Sequence, residues 1–167
     1  MQSKKLALLL GSRLTKELIQ KIGHESNIRT NEAVFLVSVG ETGFPNVALL
    51  SYLDISMVST KRLLLAIGEN SSSKRNLMKT GRGTLVFWLG KSYGLYYAKG
   101  KFKLVRERLQ SAVEGFTCSA FSMSVEALSK DHSNKARLLS TVTYESKKTN
   151  SAHIELFTEL NSLSKSV

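Results

Sequence analysis

The stretch Asn70-Ser71-Ser72-Ser73-Lys74-Arg75-Asn76-Leu77 has residue types and spacing that could do chemistry. Three hydroxyls followed by two cations, at the opening of a short helix, suit a phosphate. A helix N-terminus offers N–H groups with no intrahelical partner and the positive end of its dipole. Ser71, Ser72 and Ser73 can donate to the same oxygens, and Lys74 and Arg75 add charge-assisted bonds. Ser72 or Ser73 is expected to cap a helix from Lys74 to about Lys79, ended by a glycine within Thr80-Gly81-Arg82-Gly83. Ser73 and Lys74 are both expected on an exposed turn.

Other reactive residues form no comparable group. His24, His132 and His153 are far apart, and no Cys/His or His/Glu spacing suggests a metal. The single cysteine, Cys118, excludes an internal disulfide and reads as buried packing at a strand start, in a protein of a reducing compartment. No Ser/His/Asp order is legible, and acidic residues number only thirteen. No residue is singled out as catalytic.

The elements that must position the turn are mostly strands. Leu14, Leu18 and Ile22 share one face of a helix over about 13–24. Ala33 to Val39 is a β-branched, apolar strand, and Gly40-Glu41-Thr42-Gly43 a tight turn. Pro45 opens a second strand, expected to run through Val47 to Ile55, with a polar connection over 54–62. Leu63 to Ile67, Thr84 to Leu89 and Tyr93 to Val105 follow as strands. The last carries Leu95, Tyr97, Lys99, Lys101 and Lys103 on one face, which turns from apolar to basic along its length. Phe121 to Ala127 alternates as a half-buried strand, 129–150 gives no clear pattern, and 151–163 reads as a terminal helix with Phe157 and Leu160 as apolar contacts. Hairpin-length turns and few helices predict a closed or half-open antiparallel barrel.

The 167 residues fit one domain, and their composition is that of an ordinary globular protein. The apolar run Leu6 to Leu10 is too short for a signal sequence, and nothing approaches transmembrane length, so a cytoplasmic soluble protein is expected. A net charge of +11 favours an anionic partner.

The order Gly43-Phe44-Pro45-Asn46-Val47, then Leu63 to Ile67, then Ser73-Lys74-Arg75-Asn76-Leu77, then Tyr97-Ala98-Lys99-Gly100-Lys101-Phe102 resembles the pyridoxamine 5′-phosphate oxidase-like family. The resemblance covers about residues 30–128. It implies a mainly β protein, a six-stranded antiparallel Greek-key split barrel with flanking short helices, acting as a homodimer with FMN in clefts between the two barrels. By position it implies that Leu49, Leu50 and Ser51 line the isoalloxazine ring. Ile67, Gly68, Ser71, Ser73, Lys74 and Asn76 would surround the ribityl phosphate, and Trp88 and Tyr97 would contact the ring.

The implied activity is an oxidoreductase acting on an unidentified small molecule. Three departures point away from pyridoxamine phosphate oxidation itself: Ser51 replaces a basic residue, Asn46 replaces an arginine, and the C-terminal Arg-x-His arrangement is missing. The alternatives are a non-catalytic flavin, deazaflavin or haem binder, with His153 as a haem candidate, and a basic barrel for single-stranded nucleic acid. The last would use Lys99, Lys101, Lys103, Arg106 and Arg108 with Tyr93, Tyr96, Tyr97 and Phe102 interleaved.

Overall fold

The computed structural model describes residues 7–23, 31–90, 94–113, 115–131, 140, 142–144 and 151–167. His24, His132, Tyr93 and most of 129–150 lie outside the described residues. Among the described residues nine strands form one antiparallel sheet: β1 (Ala7–Gly11), β2 (Ala33–Val39), β3 (Pro45–Ser51), β4 (Ile55–Ser59), β5 (Arg62–Gly68), β6 (Arg82–Trp88), β7 (Leu95–Arg106), β8 (Ala112–Val113) and β9 (Phe116–Asp131). The spatial order is β3-β2-β6-β7-β9-β5-β4, with β1 and β8 also paired to β9. Helices α1 (Lys16–Gly23), α2 (Ser72–Thr80) and α3 (Ser151–Ser164) flank it. The mainly β, antiparallel class is as expected, with more strands than six.

The additional strands have local causes. The β3 strand stops at Ser51, short of Ile55, because Ser51 and Asp54 form a capping box around a 3₁₀ turn, Tyr52–Asp54. The Ser51 hydroxyl accepts from the Leu53 N–H at 3.0 Å, and the Asp54 carboxylate from the Ser51 N–H at 2.7 Å. The chain thereby turns a corner, and Ile55–Ser59 becomes β4, where the sequence suggested a polar connection. From Ala7 onward the apolar run near the start of the sequence lies in β1, which pairs with the end of β9.

Alternation sets the core. Val34 and Leu36 of β2, Leu63, Leu65 and Ile67 of β5, Leu85 and Phe87 of β6, and Ala98 and Phe102 of β7 point inward together. Leu14, Leu18 and Ile22 of α1 and Leu77 of α2 join them. The opposite face of β5 is also covered. Leu64 and Ala66 pack with Cys118 and Ala120 of β9 under Leu156, Leu160 and Leu163 of α3. Two covered faces explain why β5 reads as an unbroken apolar run. Burial pushes the Cys118 thiol up to about 11, with the Asp54 and Glu69 charges adding. Among the described residues, no helix is long and apolar enough to cross a membrane.

Candidate functional site

The turn between β5 and α2 is built as a helix start, with the cap one residue earlier than expected. Ser71 is the N-cap, and its hydroxyl accepts from the Lys74 N–H at 3.0 Å. Its own N–H donates to the Gly68 carbonyl at 3.1 Å and tightens the turn. Gly81 ends the helix in the left-handed region, at φ 61°. Arg75 folds back, donating to the Asn70 carbonyl at 3.2 Å and the Ser72 hydroxyl at 2.8 Å.

Two residues expected to face a phosphate instead hold α2 to the β2–β3 hairpin. Ser73 is buried, and its hydroxyl accepts from the Asn46 amide at 3.0 Å. Asn76 donates to the buried Ser38 hydroxyl at 3.2 Å and fills the space beside Gly40. Ser73 is therefore not on an exposed turn. The exposed and half-buried groups at the helix start are Ser71, Ser72, Lys74 and Arg75.

The Asn46–Ser73 bond joins this turn to β3, which among the described residues pairs with β2 alone, on one backbone edge. Outward side chains on β3 are apolar and exposed, Val47 at 59% and Leu49 at 57%, with Phe44 at 78% on the hairpin. Register extends this face across the sheet in the row Leu49, Phe35, Val86, Tyr97, Ser129. Trp88 lies two residues past Val86, on the same side of β6. Its indole N–H is buried without a partner among the described residues. Alternation thus puts Leu49, Ser51, Trp88 and Tyr97 on one face of the sheet, with Ser51 buried, whereas the Asn46 and Ser38 side chains that meet the turn lie on the other face. Leu50 and Ile67 point into the core, so only their backbones can reach a ligand.

Further along, that face becomes basic. A groove of about 790 Å³ is lined by Val37, Val39, Arg82, Thr84, Lys99 and Glu126. His153 stands on α3, near enough to Asp54 to draw down its pKa, and away from any metal cluster among the described residues.

Sequence reasoning missed Glu69, although it lies in the turn. Its carboxylate accepts from Thr117 at 2.5 Å and from Arg108 at 3.4 Å, and stands 4.0 Å from the Lys74 amine. Thr117 and Arg108 follow about forty residues later, where no local pattern signals the contact.

This arrangement is an antiparallel split barrel in which the edge strand β3 is bonded to the start of α2. That is the fold of the pyridoxamine 5′-phosphate oxidase-like family. The described candidate pyridoxamine 5′-phosphate oxidase of Lactobacillus delbrueckii superposes with a TM-score of 0.52 and 15% identity, over 72% of this chain and 97% of that one. A single-site variant of HupZ from Group A Streptococcus gives 0.51 and 15%, over 69% and 97%. In sequence, the uncharacterized protein YclD of Bacillus subtilis is 29% identical over 68 residues, which are 40% of this chain and 44% of that protein. The match thus spans less than half of the relative's length. No family model matches the sequence.

Proposed function

We propose that this chain binds FMN between two copies of itself and serves as an oxidoreductase for a small organic molecule. The observation that carries this reading is the Asn46–Ser73 bond, which holds the start of α2 against the edge strand β3. A phosphate on Ser71, Ser72, Lys74 and Arg75 would leave the attached ring to lie along β3, beside Leu49 and Ser51. Leu50, Ile67 and Gly68 would contribute backbone, and Ser73 and Asn76 would hold the turn in place. Trp88 and Tyr97 would border the ring.

The flavin, when bound, supplies the hydride or electron transfer. The chain's own residues orient the ring and neutralise the phosphate, and none is required as a general acid or base. The second copy would cover the exposed apolar face of β3 and complete the cleft. The buried thiol of Cys118 fits a reducing, cytoplasmic setting.

A specific observation favours a second reading. Arg82, Lys99 and Lys103 are exposed and make no ion pair among the described residues, a footprint suited to single-stranded nucleic acid.

The deciding experiment is a visible absorbance spectrum of the purified protein, repeated after FMN is added and the excess removed. Flavin bands should be retained, and Lys74→Ala should weaken FMN at least about tenfold, as expected for a lost charge-assisted contact. A sharp, intense band in the haem region would replace FMN with haem, and a deazaflavin would show its own spectrum. A colourless protein that refuses FMN, yet binds oligonucleotide with steep salt dependence, would establish the second reading instead.

A further inference from the structure

Glu69 is the one carboxylate in the turn 68–76, and it stands among cations that a phosphate would need. Its Oε2 accepts from the Thr117 hydroxyl at 2.5 Å and from Nε and Nη2 of Arg108, each at 3.4 Å. Its Oε1 lies 4.0 Å from the Lys74 Nζ. The Glu69 N–H also donates to the Thr117 carbonyl at 2.9 Å, so backbone and side chain are both fastened to the start of β9. The carboxylate cannot swing away from Lys74 without giving up these bonds.

We infer that Glu69 is a built-in counter-ion of the phosphate turn, which an incoming phosphate must outcompete for Lys74, and that it limits how tightly the turn holds any phosphate. The inference rests on the proposed phosphate site. A phosphate held by Lys74 and the start of α2 lies within a few ångströms of this carboxylate. Both side chains are partly desolvated, at 17% and 21% exposure, so the repulsion is screened less than between fully exposed charges. The Thr117 hydrogen bond, together with Arg108 and Lys74, holds the Glu69 carboxyl below its usual range against the opposing cost of burial, so it is charged at neutral pH.

The consequence is a raised threshold for binding. Every phosphate meets the same repulsion, so Glu69 weakens FMN and inorganic phosphate by a similar factor. A bare phosphate gains only the turn, whereas a ligand whose ring also lies along β3 has further contacts that offset the loss.

The test is titration of the wild type and Glu69→Gln with FMN, riboflavin and inorganic phosphate. Glutamine keeps an acceptor for Thr117 and removes the charge. FMN and inorganic phosphate should bind roughly tenfold more tightly to the variant, with riboflavin unchanged. FMN affinity that is unchanged or weaker overturns the inference, as does equal tightening of riboflavin.

If Glu69→Gln fails to fold, Arg108→Ala serves in its place. Removing the cation leaves the Glu69 charge less neutralised, so FMN should weaken severalfold while riboflavin does not, and equal behaviour of the two flavins overturns the inference. A wild type that takes neither flavin overturns the proposed function alone. Inorganic phosphate then decides Glu69, through a larger thermal shift of Glu69→Gln than of the wild type.

Discussion

Asp54 shows how a residue in a structural corner acquires a pH response. Desolvation pushes its carboxyl up to about 6, against the Ser51 N–H and the His153 charge, which favour the ionised form. A carboxyl raised on folding stabilises fully below its unfolded pKa, and that contribution is lost as pH rises through about 6. Asp54 therefore costs on the order of 2 kcal/mol at neutral pH relative to about pH 4. Asp54→Asn keeps an acceptor for the Ser51 N–H and removes the titration. Urea denaturation should show the variant gaining on the wild type between about pH 4 and pH 7, and parallel curves would remove Asp54 from the pH response. Glu69 and Glu159 act in the opposite sense. Burial opposes ionisation of Glu159, but the Gln110 and Ser111 N–H groups at 2.9 and 2.8 Å and nearby Arg106 outweigh it, so its stabilisation is lost as pH falls. The sequence made the helix start at 71–72 legible because a serine run precedes a polar helical stretch ended by glycine. It hid the division of labour within it. Whether Ser73 faces a ligand or Asn46 depends on the hairpin that packs against α2, and no local pattern encodes that.

Strands were read best where burial imposes a clean period. The β2, β5 and β7 strands lie where alternation or an apolar run placed them, and the apolar-to-basic face of β7 is present as expected. The reading failed at the corner after β3. There the Ser51–Asp54 capping box breaks an apolar stretch that propensity alone would continue, and β4 is a short strand of five residues. Gly100 carries a constraint of its own. It lies at the bulge where β7 and β9 change register, and a Cβ there would overlap the Ser124 carbonyl oxygen and crowd the Met123 methyl. Gly100→Ala should lose about 2–4 kcal/mol in chemical denaturation, since backbone would have to move. Wild-type stability would mean that β9 can yield at this point.

For the whole molecule, the outstanding feature is an apolar face that none of the described residues covers. Natural edge strands are blunted by charge, proline or a covering element, and among the described residues β3 has Pro45 at its start. The opposite edge, β4, is flanked by α1 and α3. The asymmetry supports a second copy on β3, and the Val47→Glu, Leu49→Glu double variant tests it. Light scattering should report a monomer that folds but retains no FMN. An undisturbed dimer with bound flavin would put the interface elsewhere. The barrel, the helices at both ends and the turn were all within reach of the sequence. The extent of the uncovered face was not, because it depends on which strands become neighbours.

Cys118 lies beneath α3, sealed by Leu156, Leu160 and Leu163, with its thiol held far from ionisation at neutral pH. A thiol-directed reagent meets neither an open path nor a thiolate while that helix is seated. The pace at which such a reagent consumes the thiol is therefore governed by how often α3 lifts from β5 and β9. The chain carries one native probe of its own local opening, placed where a labelling experiment can count those excursions without a single substitution.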